Sequence, residues 1–422
     1  MEFKDTVTLG ELSIDGKGNY GIGASAVEFQ ENLPTYLRIT DISEDGYLLK
    51  DSLKSLDDLN AEKYKLKPND IVFARTGNST GKSYFYDGTD GELIYAGFLI
   101  KFSLDESKVN PKFIRYYTLS EEYKGWIKGF STGSTRGNIN AKSYANMQIK
   151  LPSREYQDFI VNILSSFEAK YKLNNSLILN LEEMTHTLFK RWFIDFEFPN
   201  ENGEPYKSSD GEMIENEKEL IPKGWDMKTI GNISERAGNS INVEKLEKVI
   251  PYIGLEHMPR GSIALSSWET SEKISSNKTS FQKGDILFGK LRPYFKKVGF
   301  APVDGICSTD IVVFNSKKPH YYSFLMCVVS RDDFIDYCNA SATGTRMPRT
   351  GWNQMIKYSI AIPPEEVAKQ FNEYIKSFYE KINELIHENI NLKSLRDTLL
   401  PKLLSQEVEL PSETEVTEHV QI

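Results

Sequence analysis

The segment Arg75-Thr76-Gly77-Asn78-Ser79-Thr80-Gly81-Lys82-Ser83 gathers residue types that handle phosphate: cations, glycines and hydroxyls. A Walker-type loop requires glycine where Thr76 stands, and Gly77 leaves the spacing one residue short. Tyr84-Phe85-Tyr86 then reads as strand, where a phosphate loop opens a helix. The same residues suit duplex DNA better. Arg and Lys neutralise phosphates or grip guanine, Asn bonds adenine edges, and glycine lets backbone come close. The candidate contacts are Arg75, Thr76, Asn78, Ser79 and Lys82.

Later in the chain, Lys290-Leu291-Arg292-Pro293-Tyr294-Phe295-Lys296-Lys297 interleaves cations with aromatics. Its candidate contacts are Lys290, Arg292, Tyr294, Lys296 and Lys297. Two further loops cluster hydroxyl, Arg and Asn donors. Residues 133–140 offer Thr135, Arg136 and Asn138; residues 344–353 offer Thr345, Arg346 and Arg349. Any one of these loops could be a solvated turn. Cationic loops at equivalent places in two halves of one chain favour DNA. Catalytic chemistry is not expected. His186 and His387 sit in long helices, no His/Cys cluster has metal-ligand spacing, and no nucleophile elbow is present. The Asn-Pro-Pro-Tyr or Asp-Pro-Pro-Tyr segment of adenine methyltransferases is missing, as is a helicase motif set. Catalytic residues and metal ligands are therefore both expected to be none.

The equivalence of the halves comes from an internal repeat. Lys67-Pro68-Asn69-Asp70-Ile71-Val72-Phe73-Ala74-Arg75 resembles Gln282-Lys283-Gly284-Asp285-Ile286-Leu287-Phe288-Gly289-Lys290. Tyr36-Leu37-Arg38-Ile39 matches Tyr252-Ile253-Gly254-Leu255, and Leu151-Pro152 matches Ile362-Pro363. Short apolar runs bounded by turn residues read as strands at 71–73, 99–102, 286–288 and 311–314. Helices are expected near Pro111 to Leu119 and Tyr321 to Tyr337.

A long helix follows each half. Ile160, Phe167, Asn174, Leu181 and Leu188 recur every seventh residue, with Ile163, Leu177 and Met184 as a second stripe. Phe371, Phe378, Leu385, Leu392 and Leu399 repeat the first series at the interval separating Pro152 from Pro363. A sustained heptad needs a partner helix, most simply the other copy, with Asn174 as a buried register-setting polar residue. Ser153 and Pro364 mark the helix starts and Pro401 the end of the second. From Arg154 to Trp192 the first helix would run roughly 58 Å.

The expected fold class is α/β (α+β): two similar globular domains, each followed by a long helix, the helices paired as an antiparallel coiled coil. The expected boundaries are 1–152 and 225–363 for the heads and 153–197 and 364–404 for the helices. A connector spans 198–224, and 405–422 is an acidic tail expected to be disordered. The net charge of −9 argues mildly against nucleic acid, but much of it lies in 201–219 and 407–418. No run of eighteen apolar residues suggests a membrane span, and the N-terminus lacks signal-peptide character. Cys307, Cys327 and Cys338 then read as buried thiols in a reducing cytoplasm.

This arrangement resembles the specificity subunit of type I restriction-modification systems. Residues 181–193 (Leu-Glu-Glu-Met-Thr-His-Thr-Leu-Phe-Lys-Arg-Trp-Phe) look like that family's central region. The run from Phe198-Pro199-Asn200 to Ile221-Pro222-Lys223-Gly224-Trp225 looks like its connector, and 395–404 like its distal region. The resemblance implies two target recognition domains reading a split DNA site, with paired helices as a ruler between half-sites. It implies two modification (methyltransferase) subunits as partners, and restriction (motor-nuclease) subunits. S-adenosylmethionine, ATP and Mg are then expected on those partners and no cofactor on this chain. Helix-end residues Phe189, Trp192, Phe193, Leu400, Leu403 and Leu404 would be docking surface for modification subunits, or would cap the coiled coil against a head. Two other readings stay open: a methyltransferase-nuclease fragment, which needs a cofactor motif, and a duplicated protein-binding adaptor, which the acidic charge favours.

Overall fold

A computed structural model describes residues 5–50, 53–130, 137–216, 220–344 and 346–410. The chain divides into two compact units, Met1–Ala169 with Lys393–Ile422, and Lys170–Leu392.

In the first unit, β1 (Asp70–Ala74) is central to an antiparallel sheet, between β2 (Ser83–Tyr86) and β3 (Leu99–Ser103). Every residue of β1 is buried, as a strand covered on both faces requires. A second sheet pairs Thr35–Leu37 in parallel with Leu93–Tyr95. Asp5–Thr8 pairs antiparallel with Gln148–Leu151 and closes the head near both of its ends. Phe73, Phe102, Phe113 and Tyr144 fill the core, with Phe73 and Tyr144 stacked at 4.7 Å. Helix Pro111–Tyr117 starts there because the Asn110 side chain accepts from Lys112 N–H and Pro111 needs no donor partner.

The second unit repeats the plan. Among its strands, β4 (Ile286–Gly289) lies between β5 (Val298–Phe300) and β6 (Ile311–Ser316), all antiparallel. Pro251–Ile253 runs parallel to Gly305–Cys307, as Thr35–Leu37 does to Leu93–Tyr95. Asp226–Thr229 pairs with Ser359–Ile362 to close the second head. All three cysteines are buried, which pushes their thiols up to about 12. At the connector, Phe198 and the preceding Phe196 are buried against Trp225, and Tyr206 stacks on Phe198 at 4.6 Å.

The long helices are α1 (Arg154–Phe193) and α2 (Glu365–Leu404). Within the second unit they pair antiparallel: Asn174 Nδ2 donates to Asn389 Oδ1 at 3.0 Å and to Glu388 at 2.9 Å, while Trp192 lies 5.6 Å from Phe371. Within the first unit Leu164 and Leu400 share one core. The second stripe of α1 differs from expectation. Leu177 and Met184 are exposed, and the buried series is Gln157, Leu164, Ile178, Thr185 and Trp192. An apolar face follows i, i+4 as readily as i, i+3, and polar Gln157 and Thr185 hide this one. Pro401 does not end α2, which continues to Leu404; proline in a last turn removes one donor without breaking the turns before it. The supposed tail also begins structured, since Val408 accepts from the Tyr156 hydroxyl at 2.5 Å; residues 411–422 lie outside the described residues.

Candidate nucleic-acid interface

The β1–β2 hairpin builds the first loop. Ala74 N–H donates to Lys82 O at 2.8 Å and Gly81 N–H returns to Ala74 O at 2.9 Å. Gly81 holds φ at 90°, and an added Cβ would meet Ile127 at 2.7 Å, so glycine is required here. A second loop is stitched to this one. Ile139 N–H donates to Arg75 O at 2.9 Å, Thr76 bridges Asn138, and the Thr80 hydroxyl reaches Gly137 O at 3.1 Å. Arg75 N–H donates to Phe98 O at 3.0 Å.

The β4–β5 hairpin repeats this frame. Gly289 N–H donates to Lys297 O at 2.8 Å, Lys290 N–H to Asp310 O at 2.9 Å, and Thr350 N–H to Lys290 O at 3.0 Å. Leu291 bridges Arg349 as Thr76 bridges Asn138. The loop is more contorted. Arg292 and Lys296 both hold φ at 51°, a region that costs a non-glycine residue on the order of 1–2 kcal/mol. They flank the turn Pro293–Phe295, which presents Tyr294 at 48% exposure with its ring 4.8 Å from Phe295. Arg260 lies over Phe295 at 3.9 Å.

On this shared frame the side chains divide into two groups. Some cations are held internally. Lys82 donates to Ile42 O and meets Glu44 at 2.9 Å; Lys297 donates to Leu255 O. Burial, with Arg260 nearby, lowers the Lys297 pKa from its ordinary value. Lys296 pairs with Asp332 at 2.6 Å and Arg349 with Asp310 at 2.8 Å. These pairings lower the positive charge the loops can offer a phosphate. Of the remaining candidates, Asn78 and Asn138 in the first head and Tyr294 and Arg346 in the second are exposed, while Arg75, Thr76, Ser79, Lys290 and Arg292 are half-buried. Thr135, Arg136 and Thr345 lie outside the described residues. Sequence reasoning missed Tyr20 and Phe98, which flank Arg75, and Arg260 and Asp310 in the second head. Each is remote in sequence from the loop it joins, so no local signal marks it.

The helix-end residues are not exposed. Phe189, Trp192 and Phe193 are buried among Phe324 and Phe371, and Leu400 and Leu403 are buried in the first unit's core with Leu404 packed against it. Large apolar side chains at a helix end find a head's core before they find a partner, so docking through these side chains is corrected to head–helix packing. Leu173, Leu177 and Met184 are the exposed apolar side chains along one face of α1.

Each head also clamps its helix pair by a polar contact at an equivalent heptad position. Asp45 meets Lys393 at 2.8 Å and Arg396 at 2.7 Å in the first unit. In the second, Glu182 Oε1 accepts from the Ser262 hydroxyl at 2.7 Å and Ile263 N–H at 2.8 Å. Among the described residues no group of three or more His, Cys, Asp or Glu is placed to hold a metal ion, and no helix is long and apolar enough to cross a membrane.

Comparison with known proteins adds the family context. The model of the type I restriction modification DNA specificity domain matches residues 5–183 and again 222–393. The MjaIX specificity subunit of Methanocaldococcus jannaschii is 26% identical over 314 residues, covering 71% of this chain and 69% of that protein. The HindI specificity subunit of Haemophilus influenzae is 20% identical, covering 82% of this chain and 88% of its own. A crystal structure of the S subunit of a type I restriction-modification system from M. genitalium aligns over 93% of this chain and 94% of its own, at 16% identity and a TM-score of 0.49.

Proposed function

This chain belongs to the type I restriction modification DNA specificity domain family, and we propose a residue-level account of how it serves as the specificity subunit of such a system. It is a non-catalytic DNA reader: its two recognition domains address a bipartite target, and the reactions belong to other subunits of the complex. The observation that carries the account is the loop frame built twice, with equivalent backbone bonds at Arg75 and Lys290 and different side chains around them. One scaffold with two side-chain sets suits a target whose two halves differ, since base edges are told apart by which donors and acceptors face them.

In this proposal two modification subunits and the restriction subunits join the chain on DNA. They bring S-adenosylmethionine for adenine methylation, and ATP and Mg for translocation and cleavage, and the complex works in the cytoplasm. Phosphate contacts come from Lys290, Arg292 and Arg346, while Lys82 and Lys297 brace their loops from inside. Lys296 and Arg349 enter only where DNA competes with Asp332 and Asp310. Selection of duplexes from a random pool by the assembled chain and modification subunit tests this account. Two different fixed blocks separated by an unselected gap support it; a single block, or unselective retention of DNA, contradicts it. The adaptor alternative would give no DNA retention dependent on this chain.

A further inference from the structure

We infer that the first head reads a guanine through a donor array built from Arg75 and Asn138; this rests on the proposal that the loops of that head contact DNA. Arg75 Nη2 donates to Asn138 Oδ1 at 3.4 Å, and Thr76 and Asn138 are held together by their backbones. The guanidinium lies 4.9 Å from the ring centre of Tyr20, whose hydroxyl oxygen accepts from Ala141 N–H at 3.1 Å. Its Nε is buried with no hydrogen-bond partner, and Arg75 makes no ion pair among the described residues. The guanidinium is thus seated on an aromatic face, with its terminal nitrogens at the loop surface beside exposed Phe98 and Asn138.

The hydrogen-bond inventory then narrows the ligand. Arg carries donors only, and an Asn has one acceptor oxygen and two donor hydrogens. Arg75 takes up one of the two lone pairs of the Asn138 oxygen, while both amide hydrogens of Asn138 stay available as donors. Arg75 and Asn138 together therefore present mainly donors. In the major groove adenine shows a donor beside an acceptor, cytosine a donor, and thymine a single acceptor, O4, beside a methyl group; guanine alone shows two adjacent acceptors, O6 and N7. A donor-rich array with a forked guanidinium matches the paired acceptors of guanine best. It would also match a phosphate, which carries no sequence information. The planar seat on Tyr20 favours guanine, because a stacked and oriented guanidinium suits bidentate recognition of a base edge. The second head is built otherwise. Its Arg349, at the place of Asn138, is paired with Asp310, at the place of Phe98, so that loop pair carries acceptors as well as donors. The two half-sites need not share a guanine at the corresponding position.

The test uses the full chain with its modification subunit in a methylation-free host, with methylated motifs read by single-molecule sequencing. Arg75→Ala and Arg75→Lys are each expected to relax one guanine in one half-site and leave the other half-site intact, which also reports that the complex assembles. Arg75→Lys keeps the charge and loses the fork, so its loss of discrimination with retained overall affinity separates guanine from phosphate. In binding assays, 7-deazaguanine at that position, which removes the N7 acceptor, is expected to weaken wild-type binding roughly tenfold and Arg75→Ala little further. A motif unchanged in both variants with affinity lowered alike on all sequences would make Arg75 a phosphate contact and overturn the inference. Relaxation at a base other than guanine would overturn it as well. A wild-type complex that yields no split motif would remove the proposed function itself, and this inference with it.

Discussion

Arg115→Met should cost the first unit about 3–5 kcal/mol, because it strips a buried carboxylate of its guanidinium. Arg115 grips Glu168 in parallel, Nε to Oε2 at 3.1 Å and Nη2 to Oε1 at 3.0 Å, with side chains 8% and 14% exposed. Its third donor, Nη1, reaches Gly46 O at 3.0 Å, and Tyr47 covers it at 4.9 Å. In the substituted chain the Tyr116 hydroxyl, 3.1 Å from Glu168, stays as a donor to that carboxylate. A neutral hydroxyl is a weaker partner for that carboxylate than the bidentate cation it loses. The other head shows that the site tolerates an apolar solution: at the corresponding positions stand Met326 and Tyr379, both in an apolar core, with Tyr379 3.6 Å from Cys327 Sγ. Arg115→Met combined with Glu168→Met should therefore recover most of the loss, as buried ion pairs often exchange for apolar pairs at little net cost. Tyr116 keeps Ser165 as a partner at 3.0 Å in that background. Hydrogen exchange under native conditions, read separately over residues 111–168 and 322–379, is the assay. It should show lost protection confined to the first unit for the single variant and near-normal protection for the double. A single variant within 1 kcal/mol of the parent, or a double variant as damaged as the single, would refute the reasoning.

The two clamps should respond to pH with opposite sign. Burial raises the Glu182 carboxyl above its ordinary value despite its donors, so its contribution to stability is greatest below the usual carboxylate range and falls as pH rises through the folded value. Glu182→Gln, whose oxygen still accepts, should match the parent in acid and exceed it at neutral pH by up to about 1 kcal/mol, whereas Glu182→Ala should lose about 1–3 kcal/mol, both measured by urea unfolding from pH 4 to 8. Burial also opposes the Asp45 charge, but Lys393 and Arg396 outweigh it and lower its pKa. Its contribution is present above the unfolded value and lost as pH falls through the folded one, so Asp45→Asn should be destabilising at neutral pH and silent in strong acid. Asp310→Ala should release Arg349 to DNA, raising nonspecific affinity and steepening its salt dependence by about one unit of slope, measured by salt titration of binding. The buried cysteines, with thiols pushed up to about 12, should resist iodoacetamide at pH 8 until the chain is unfolded, counted by mass spectrometry.

Much of the architecture could be read from the chain because duplication writes each signal twice. Ile71-Val72-Phe73 and Ile286-Leu287-Phe288 lie in central buried strands, and Ile160, Asn174, Phe371 and Leu385 in the buried seam. What escaped depends on partners remote in sequence. The second seam of α1 is disguised by Gln157 and Thr185, buried polar residues that a hydropathy pattern counts as surface. Phe189, Trp192 and Phe193 show that an apolar helix end looks the same whether it meets a head or another subunit; only the fold supplies Phe324 and Phe371. The loop cations make the same point. Lys82 and Lys297 read as free charges until Ile42 and Leu255 arrive beneath them, and Lys296 and Arg349 until Asp332 and Asp310 do.

The most direct test of the central claim compares two genomes by single-molecule methylation sequencing. Both come from a methylation-free host carrying the neighbouring modification subunit, one with this chain and one without. The account predicts a split, adenine-methylated motif only when the chain is present, with Arg75→Ala altering one half of it. Methylation that is the same with and without the chain, in a complex shown to be active, would contradict the account.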